Sequence, residues 1–97
     1  MKKLFDEVSR QSSRNVTRMY STSFYAGVRC LDKKIRDDIH AIYGFVRFAD
    51  EIVDTFHDFD KETLLREFKN DTYLALDRKI SLNPILNSFQ ETVHKYQ

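Results

Sequence analysis

The chain has 97 residues, enough for one small domain or for a part of a larger one. Its 16 lysines and arginines nearly balance its 15 acidic residues, and a net charge of +1 argues against a nucleic-acid-binding surface, which requires a basic excess. A hydrophobic fraction of 41% argues against disorder, and the presence of only two glycines and one proline favours helices over a turn-rich β fold.

The N-terminal segment and the single cysteine bear on the compartment. Residues 4–13 are mostly polar, so no signal peptide is predicted, and no apolar run is long enough to cross a bilayer. Cys30 has no partner for an internal disulfide, and we expect it to be a small buried side chain. We therefore predict a cytoplasmic protein, with peripheral contact with a membrane as an open alternative.

The first half of the chain contains one predicted helix followed by a break. Apolar residues recur from Leu4 to Met19 and predict a helix there. The segment Tyr20–Phe24 is rich in hydroxyl side chains, which compete for backbone hydrogen bonds, so a turn or helix break is expected. Residues 26–31 are consistent with either a short helix or a loop.

Three further helices are predicted after this break. The second predicted helix has Asp32 as N-cap and continues to about Phe56. The third follows the N-cap Asp60 and covers residues 61–78, and the fourth begins at Asn83-Pro84. This fourth helix shows no C-cap signal before residue 97, so we expect the chain to be the N-terminal part of a longer domain.

One face of the second predicted helix carries a stripe of polar side chains at helical spacing. Its members lie three or four residues apart and are therefore neighbours: Arg36, His40, Tyr43, Arg47, Asp50 and Asp54. One interpretation is a solvated face with an Arg47–Asp50 ion pair. The absence of lysine from residue 41 to residue 56 argues against it, because exposed helix faces are normally rich in lysine.

Two carboxylates of this stripe have a spacing that suits a magnesium ion. Asp50 and Asp54 are four residues apart, so both side chains lie on one face of the helix, one turn apart. Mg²⁺ is commonly held by one or two carboxylates together with water and substrate phosphates. Arg47, one turn upstream, could pair with the same phosphate.

Two segments resemble motifs of the squalene/phytoene synthase family. The first aspartate-rich motif of those enzymes is similar to Tyr43-x-Phe45-x-Arg47-x-x-Asp50-Glu51-x-x-Asp54. The segment that precedes this motif in the family is similar to Tyr20-Ser21-Thr22-Ser23-Phe24. The two motifs also stand at a separation typical of the family, so the resemblance is specific from about residue 20 to residue 60.

The resemblance implies an all-α fold in which residues 1–97 form the N-terminal helices of an isoprenoid-synthase-type bundle, as a single incomplete domain. It implies Mg²⁺-dependent head-to-head condensation of two farnesyl or geranylgeranyl diphosphates in isoprenoid or carotenoid biosynthesis. Asp50 and Asp54 would be the catalytic metal ligands for Mg²⁺, or alternatively Mn²⁺. NADPH would be required only if the product is squalene. The implied substrate-binding residues are Tyr20, Ser21, Ser23, Phe24, Tyr43 and Arg47; Glu51 is not expected to be a metal ligand.

The chain lacks the second aspartate-rich motif of the family, because no D-x-x-x-D follows Asp60. We therefore expect little or no synthase activity from these residues alone. The alternative function is a catalytically inactive helical homologue that acts as an interaction module, and uncovered apolar faces would then favour oligomers. A third class, the chain-elongating synthases and cyclases, also uses aspartate-rich helices, but the Tyr20–Phe24 segment argues against it by resemblance.

Overall fold

The computed structural model describes the whole chain, Met1–Gln97, as five α-helices without strands. The helices are α1 (Lys2–Tyr20), α2 (Thr22–Val28), α3 (Lys33–Asp54), α4 (Lys61–Arg78) and α5 (Pro84–Lys95). The prediction of an all-α fold is confirmed. None of these helices has the length and apolar character needed to cross a membrane.

Side-chain caps set the beginnings of the three longer predicted helices after the break. The Asp32 carboxylate accepts a hydrogen bond from the backbone N–H of Lys34 at 2.9 Å, and Asp60 accepts one from Thr63 at 3.1 Å. Asn83 caps α5 in the same way, immediately before its proline. The three predicted start sites are therefore confirmed, because each cap satisfies an N–H group that has no partner within the helix.

The number of helices and two of the helix ends differ from the predictions. The break in the Tyr20–Phe24 segment is confined to Ser21, whose backbone is extended (φ −151°, ψ 94°). The hydroxyl of Ser21 accepts a hydrogen bond from the N–H of Phe24 at 3.1 Å, so one residue ends α1 and caps α2. Five helices are present instead of four. In addition, α3 ends at Asp54 instead of Phe56, and α5 ends at Lys95.

Helices α1, α3 and α5 pack against one another, while α4 packs on α3 and α5, and α2 packs on α1. The interface between α1 and α5 contains small polar side chains with almost no solvent exposure: Ser9, Ser13, Asn87 and Ser88. The hydroxyls of Ser13 and Ser88 are 2.5 Å apart, and Asn87 donates to Ser9 at 3.0 Å. Small side chains allow a close approach of the helices, and their mutual hydrogen bonds offset the cost of burial.

The packing leaves two features exposed, and one of them, Cys30, was predicted to be buried. Part of the apolar face of α3 is uncovered, because α1, α4 and α5 all pack on other sides of the helix; the exposed side chains are Ile35, Ile42, Val46 and Val53. Cys30 is also exposed, because it lies in the turn between α2 and α3, not in a helix interface.

Candidate functional site

The two segments that resemble the family motifs lie against each other. The ring of Phe24, on α2, stacks on that of Tyr43, on α3, with centroids 5.0 Å apart. The guanidinium of Arg47 lies over the ring of Tyr20, 5.3 Å from its centroid. The phenol of Tyr20 donates a hydrogen bond to the carboxylate of Glu51. We call this surface the motif face; it comprises Tyr20, Phe24, Tyr43, Arg47, Asp50, Glu51 and Asp54.

Glu51 is the carboxylate of the motif face with the most partners. One of its oxygens accepts a hydrogen bond from Thr55 and the other accepts one from Tyr20. The Thr55 and Tyr20 hydrogen bonds together lower the pKa of Glu51, and the bond to Glu51 raises the pKa of the Tyr20 phenol. Sequence reasoning assigned no role to Glu51. Its spacing of four residues from both Arg47 and Thr55 is the signal that could have indicated these contacts.

Arg47 forms an ion pair different from the one considered in the sequence. Its Nη2 atom lies 3.6 Å from Glu51, whereas no ion pair links Arg47 to Asp50, so the Arg47–Asp50 interpretation is wrong. The Nε atom of Arg47 is buried and has no hydrogen-bond partner. The guanidinium therefore has a donor that nothing within the chain satisfies.

Asp50 and Asp54 differ from Glu51 because neither has a partner. Both side chains are exposed at the C-terminal end of α3, and neither takes part in a hydrogen bond or an ion pair. No three His, Cys, Asp or Glu side chains converge into a metal site. Two unpartnered carboxylates one turn apart nevertheless fit Mg²⁺, which takes its remaining ligands from water and phosphate.

The two predicted serines lie at the beginning of α2 and differ in how their hydroxyls are used. The oxygen of Ser21 caps the helix, while Ser23 is exposed and its oxygen lies 3.5 Å from that of Ser21. The Ser23 hydroxyl is thus the more available donor.

The polar stripe predicted on α3 is divided into two parts. His40 is 3% exposed, and its Nδ1 lies 2.9 Å from the hydroxyl of Thr17 on α1. Burial lowers the pKa of His40. Arg36 donates from Nε to the backbone carbonyl of Leu31 at 2.9 Å. These two residues stabilise the fold and lie outside the motif face.

A cavity of about 380 Å³ lies beside the motif face, between α3 and α4. Tyr20 and Glu51 line it and also belong to the motif face. The rest of the wall is mostly apolar and also includes two carboxylates; it is formed by Phe48, Ile52, Phe56, Leu64, Glu67, Phe68 and Asp71. The motif face therefore borders a pocket with a largely aromatic wall, while Tyr20 itself is 48% exposed.

Comparison with known proteins identifies the family of the chain. The family model for squalene/phytoene synthase matches residues 17–97. The chain belongs to the squalene/phytoene synthase family. The matched range includes every residue of the motif face and all of α2 to α5.

Among curated relatives, the chain is similar to the presqualene diphosphate synthase of Zymomonas mobilis subsp. mobilis. The two sequences are 38% identical over 58 residues, which are 60% of this chain and 20% of that enzyme. The chain thus spans about a fifth of the length of the relative that it matches. No solved structure matches the chain.

Proposed function

We propose that the chain is the diphosphate-binding N-terminal part of a head-to-head prenyl-diphosphate synthase. The observation that carries the proposal is the convergence of the two motif segments on one face, where the carboxylates of Asp50 and Asp54 have no partner. Membership of the squalene/phytoene synthase family supports the same class of reaction. The proposal treats residues 1–97 as one portion of the catalytic domain.

Residues of the motif face and the neighbouring serines would each have a different role in binding and ionising a prenyl diphosphate. Asp50 and Asp54 would hold Mg²⁺, or Mn²⁺ as the alternative, which when bound neutralises the negative charge of the departing diphosphate. Arg47 would place a guanidinium next to the same phosphate oxygens. Hydroxyl groups of Ser21 and Ser23 would donate hydrogen bonds to the diphosphate.

The two stacked aromatic rings of the motif face suit the allylic carbon of the substrate, from which the diphosphate departs. Loss of diphosphate from an allylic carbon leaves a carbocation, which water would capture unless the carbon is surrounded by apolar groups. The stacked rings of Phe24 and Tyr43 offer such a surface within reach of Arg47. Tyr20 adds a third ring on the same side.

The similarity to presqualene diphosphate synthase favours farnesyl over geranylgeranyl diphosphate as the substrate. Presqualene diphosphate contains two joined farnesyl units, and its formation consumes no reductant. The proposed reaction therefore needs no NADPH unless a later step reduces the product to squalene. The peripheral membrane contact and the cytoplasmic location predicted above remain predictions.

The test is binding of farnesyl thiodiphosphate, an unreactive analogue, measured by calorimetry with and without Mg²⁺. We expect Mg²⁺-dependent binding that Asp50→Ala and Asp54→Ala each abolish, while circular dichroism shows unchanged helicity. Asp77→Ala is the matched control, because Asp77 is an exposed, unpartnered helical aspartate on α4. Binding that is independent of Mg²⁺, or that persists in both variants, would contradict the proposal.

One observation favours the second candidate, an interaction module without catalysis. Ile42, Val46 and Val53 are 45, 48 and 53% exposed on one side of α3, which is unusual for large aliphatic side chains of a helix. If this face binds a second copy, sedimentation should show an oligomer that Val46→Lys dissociates. An oligomer of the parent chain that fails to bind the thiodiphosphate would favour the module over the synthase.

A further inference from the structure

Glu51 lies next to two unpartnered aspartates but has a different environment. Both of its oxygens are engaged by hydroxyl groups, from Tyr20 and from Thr55, and Arg47 approaches the same carboxylate. Each of these bonds uses one lone pair of a carboxylate oxygen and together they fix the orientation of the group, so Glu51 is less free than an unpartnered carboxylate to turn towards a metal ion. Asp50 and Asp54 have no such bonds to lose. The two kinds of carboxylate are therefore suited to different tasks.

The contacts of Glu51 connect two separate elements of the motif face. Tyr20 is the last residue of α1, immediately before the Ser21 break that sets the start of α2. Its bond to Glu51 fixes the end of α1 against the C-terminal half of α3. The position of the Ser21–Phe24 segment relative to α3 therefore depends on a contact at Glu51.

Arg47 is the second group that Glu51 holds. The guanidinium is restrained by the ring of Tyr20 at 5.3 Å and by Glu51 at 3.6 Å, and both restraints meet at Glu51 because Tyr20 is itself bound to it. Arginine side chains lose considerable rotational entropy when they are fixed. A guanidinium that is already oriented loses less of this entropy when it binds a phosphate.

Resting on the function proposed above, we infer that Glu51 is a positioning residue rather than a third metal ligand. Its carboxylate holds the Tyr20 phenol and the Arg47 guanidinium in place. The guanidinium and the Ser21–Phe24 segment are therefore oriented before the diphosphate binds. The Arg47 side chain is 27% exposed, so the restrained guanidinium is still partly accessible to a ligand.

The first test does not require a ligand. The unfolding equilibria of the parent chain, Tyr20→Phe, Glu51→Ala and the double variant form a double-mutant cycle. The inference predicts that the two effects are non-additive by at least about threefold in the equilibrium constant, since Tyr20→Phe keeps the ring and removes only the hydroxyl. Additive effects would show that the contact does not position Tyr20 and would overturn the inference.

The second test separates positioning from metal binding, with farnesyl thiodiphosphate as the probe and Mg²⁺ varied. Glu51→Ala should weaken binding about tenfold while leaving the Mg²⁺ concentration for half-saturation unchanged, and Glu51→Gln should have a smaller effect. Asp50→Ala should instead abolish the Mg²⁺-dependent binding. Glu67→Ala is the control, because Glu67 is an exposed glutamate of α4 beside the same cavity, without a partner.

Each other outcome is decisive. Glu51→Ala binding like the parent chain overturns the inference alone, and so does an increased Mg²⁺ requirement in that variant, which would make Glu51 a metal ligand. If the parent chain binds no thiodiphosphate with Mg²⁺, the proposed function fails and the inference fails with it; the result of the double-mutant cycle then still reports whether the contact exists.

Discussion

The two halves of α3 use polar side chains in opposite ways. In the N-terminal half, Asp38 and His40 are buried and have partners on other helices. In the C-terminal half, Asp50 and Asp54 are exposed and have none, and Arg47 has an unsatisfied Nε atom. The N-terminal half of α3 therefore uses buried polar side chains to stabilise the fold, whereas the C-terminal half carries two exposed carboxylates without a partner in the chain.

Asp38 is a carboxylate whose hydrogen bonds are all made within the fold. It is 8% exposed and accepts hydrogen bonds from Lys95 at 2.9 Å and from Tyr96 at 2.6 Å, which tie α3 to the end of α5. Replacing such a group costs stability, whereas replacing an unpartnered exposed group does not. Unfolding measurements can therefore test the comparison without any ligand, and the expected effects follow in order of size.

The largest effect is expected at Gly44, where α3 is closest to α1 and α5. A Cβ atom here would lie 3.4 Å from Oγ of Ser13 and 3.6 Å from Cγ2 of Ile85. Gly44→Leu should lower the free energy of unfolding by about 1–3 kcal/mol, because the additional atoms have no space. The control is Gly44→Ala, which should be tolerated, since its single methyl group makes ordinary contacts and favours the helix. Denaturant unfolding of both variants checks this, and equal stability would contradict close packing.

The second effect concerns Asp38 itself. Asp38→Ala should lower the free energy of unfolding by about 1–2 kcal/mol, because it removes a part-buried acceptor of charged and phenolic donors. Asp37→Ala is the matched control, because Asp37 is the neighbouring aspartate and forms a more exposed ion pair. Its side chain is 45% exposed and lies 3.1 Å from Nε of Arg14, and such pairs contribute little to stability. An Asp38 effect no larger than the Asp37 effect would contradict the structural assignment.

The third effect is a pH dependence that arises from His40. Burial lowers its folded pKa, with Asp37 opposing and Arg14 reinforcing the shift. Below about pH 6.5, the ordinary histidine pKa, the unfolded chain therefore binds more protons than the folded chain, and stability should fall as the pH falls. His40→Gln should reduce this slope between pH 7 and pH 5. A slope in His40→Gln identical to that of the parent chain would contradict the assignment.

The smallest effect is expected for the site aspartates, and it has the opposite sign. Asp54 is the last residue of α3, where a negative charge is unfavourable to the helix dipole. Asp54→Ala should therefore raise the free energy of unfolding by about 0.3–1 kcal/mol. Thermal unfolding at low salt measures this change. A clear loss of stability would mean that Asp54 has a structural partner within the chain.

Local signals made most of the fold predictable from sequence. Asp32, Asp60 and Asn83 cap helices through hydrogen bonds to residues two or three positions away, so their short-range patterns predicted the starts of three helices. The exact position of the break at Ser21 was harder to predict from sequence, because this one residue both ends a helix and caps the next. The burial of Cys30 was predicted wrongly, since exposure depends on how helices pack and not on residue type alone.

The candidate site was predictable to the extent that it follows helix spacing and family motifs. The sequence motifs indicate the residues of the site, and the structure brings Phe24 to Tyr43 and Tyr20 to Arg47. Spacing could not distinguish His40, which is buried, from Asp50, which is exposed, because both occupy the same face of α3. Which part of that face is covered depends on α1, and only the packing of the helices reveals it.

We propose above all that the polar groups at the C-terminal end of α3 bind a metal-bound diphosphate. The most direct measurement is a calorimetric titration of the parent chain with farnesyl thiodiphosphate at increasing Mg²⁺, repeated with Asp50→Ala. We predict saturable binding that appears only with Mg²⁺ and is lost in Asp50→Ala. Binding of equal strength in both proteins, or no binding by a folded parent chain at any Mg²⁺ concentration, would contradict the claim.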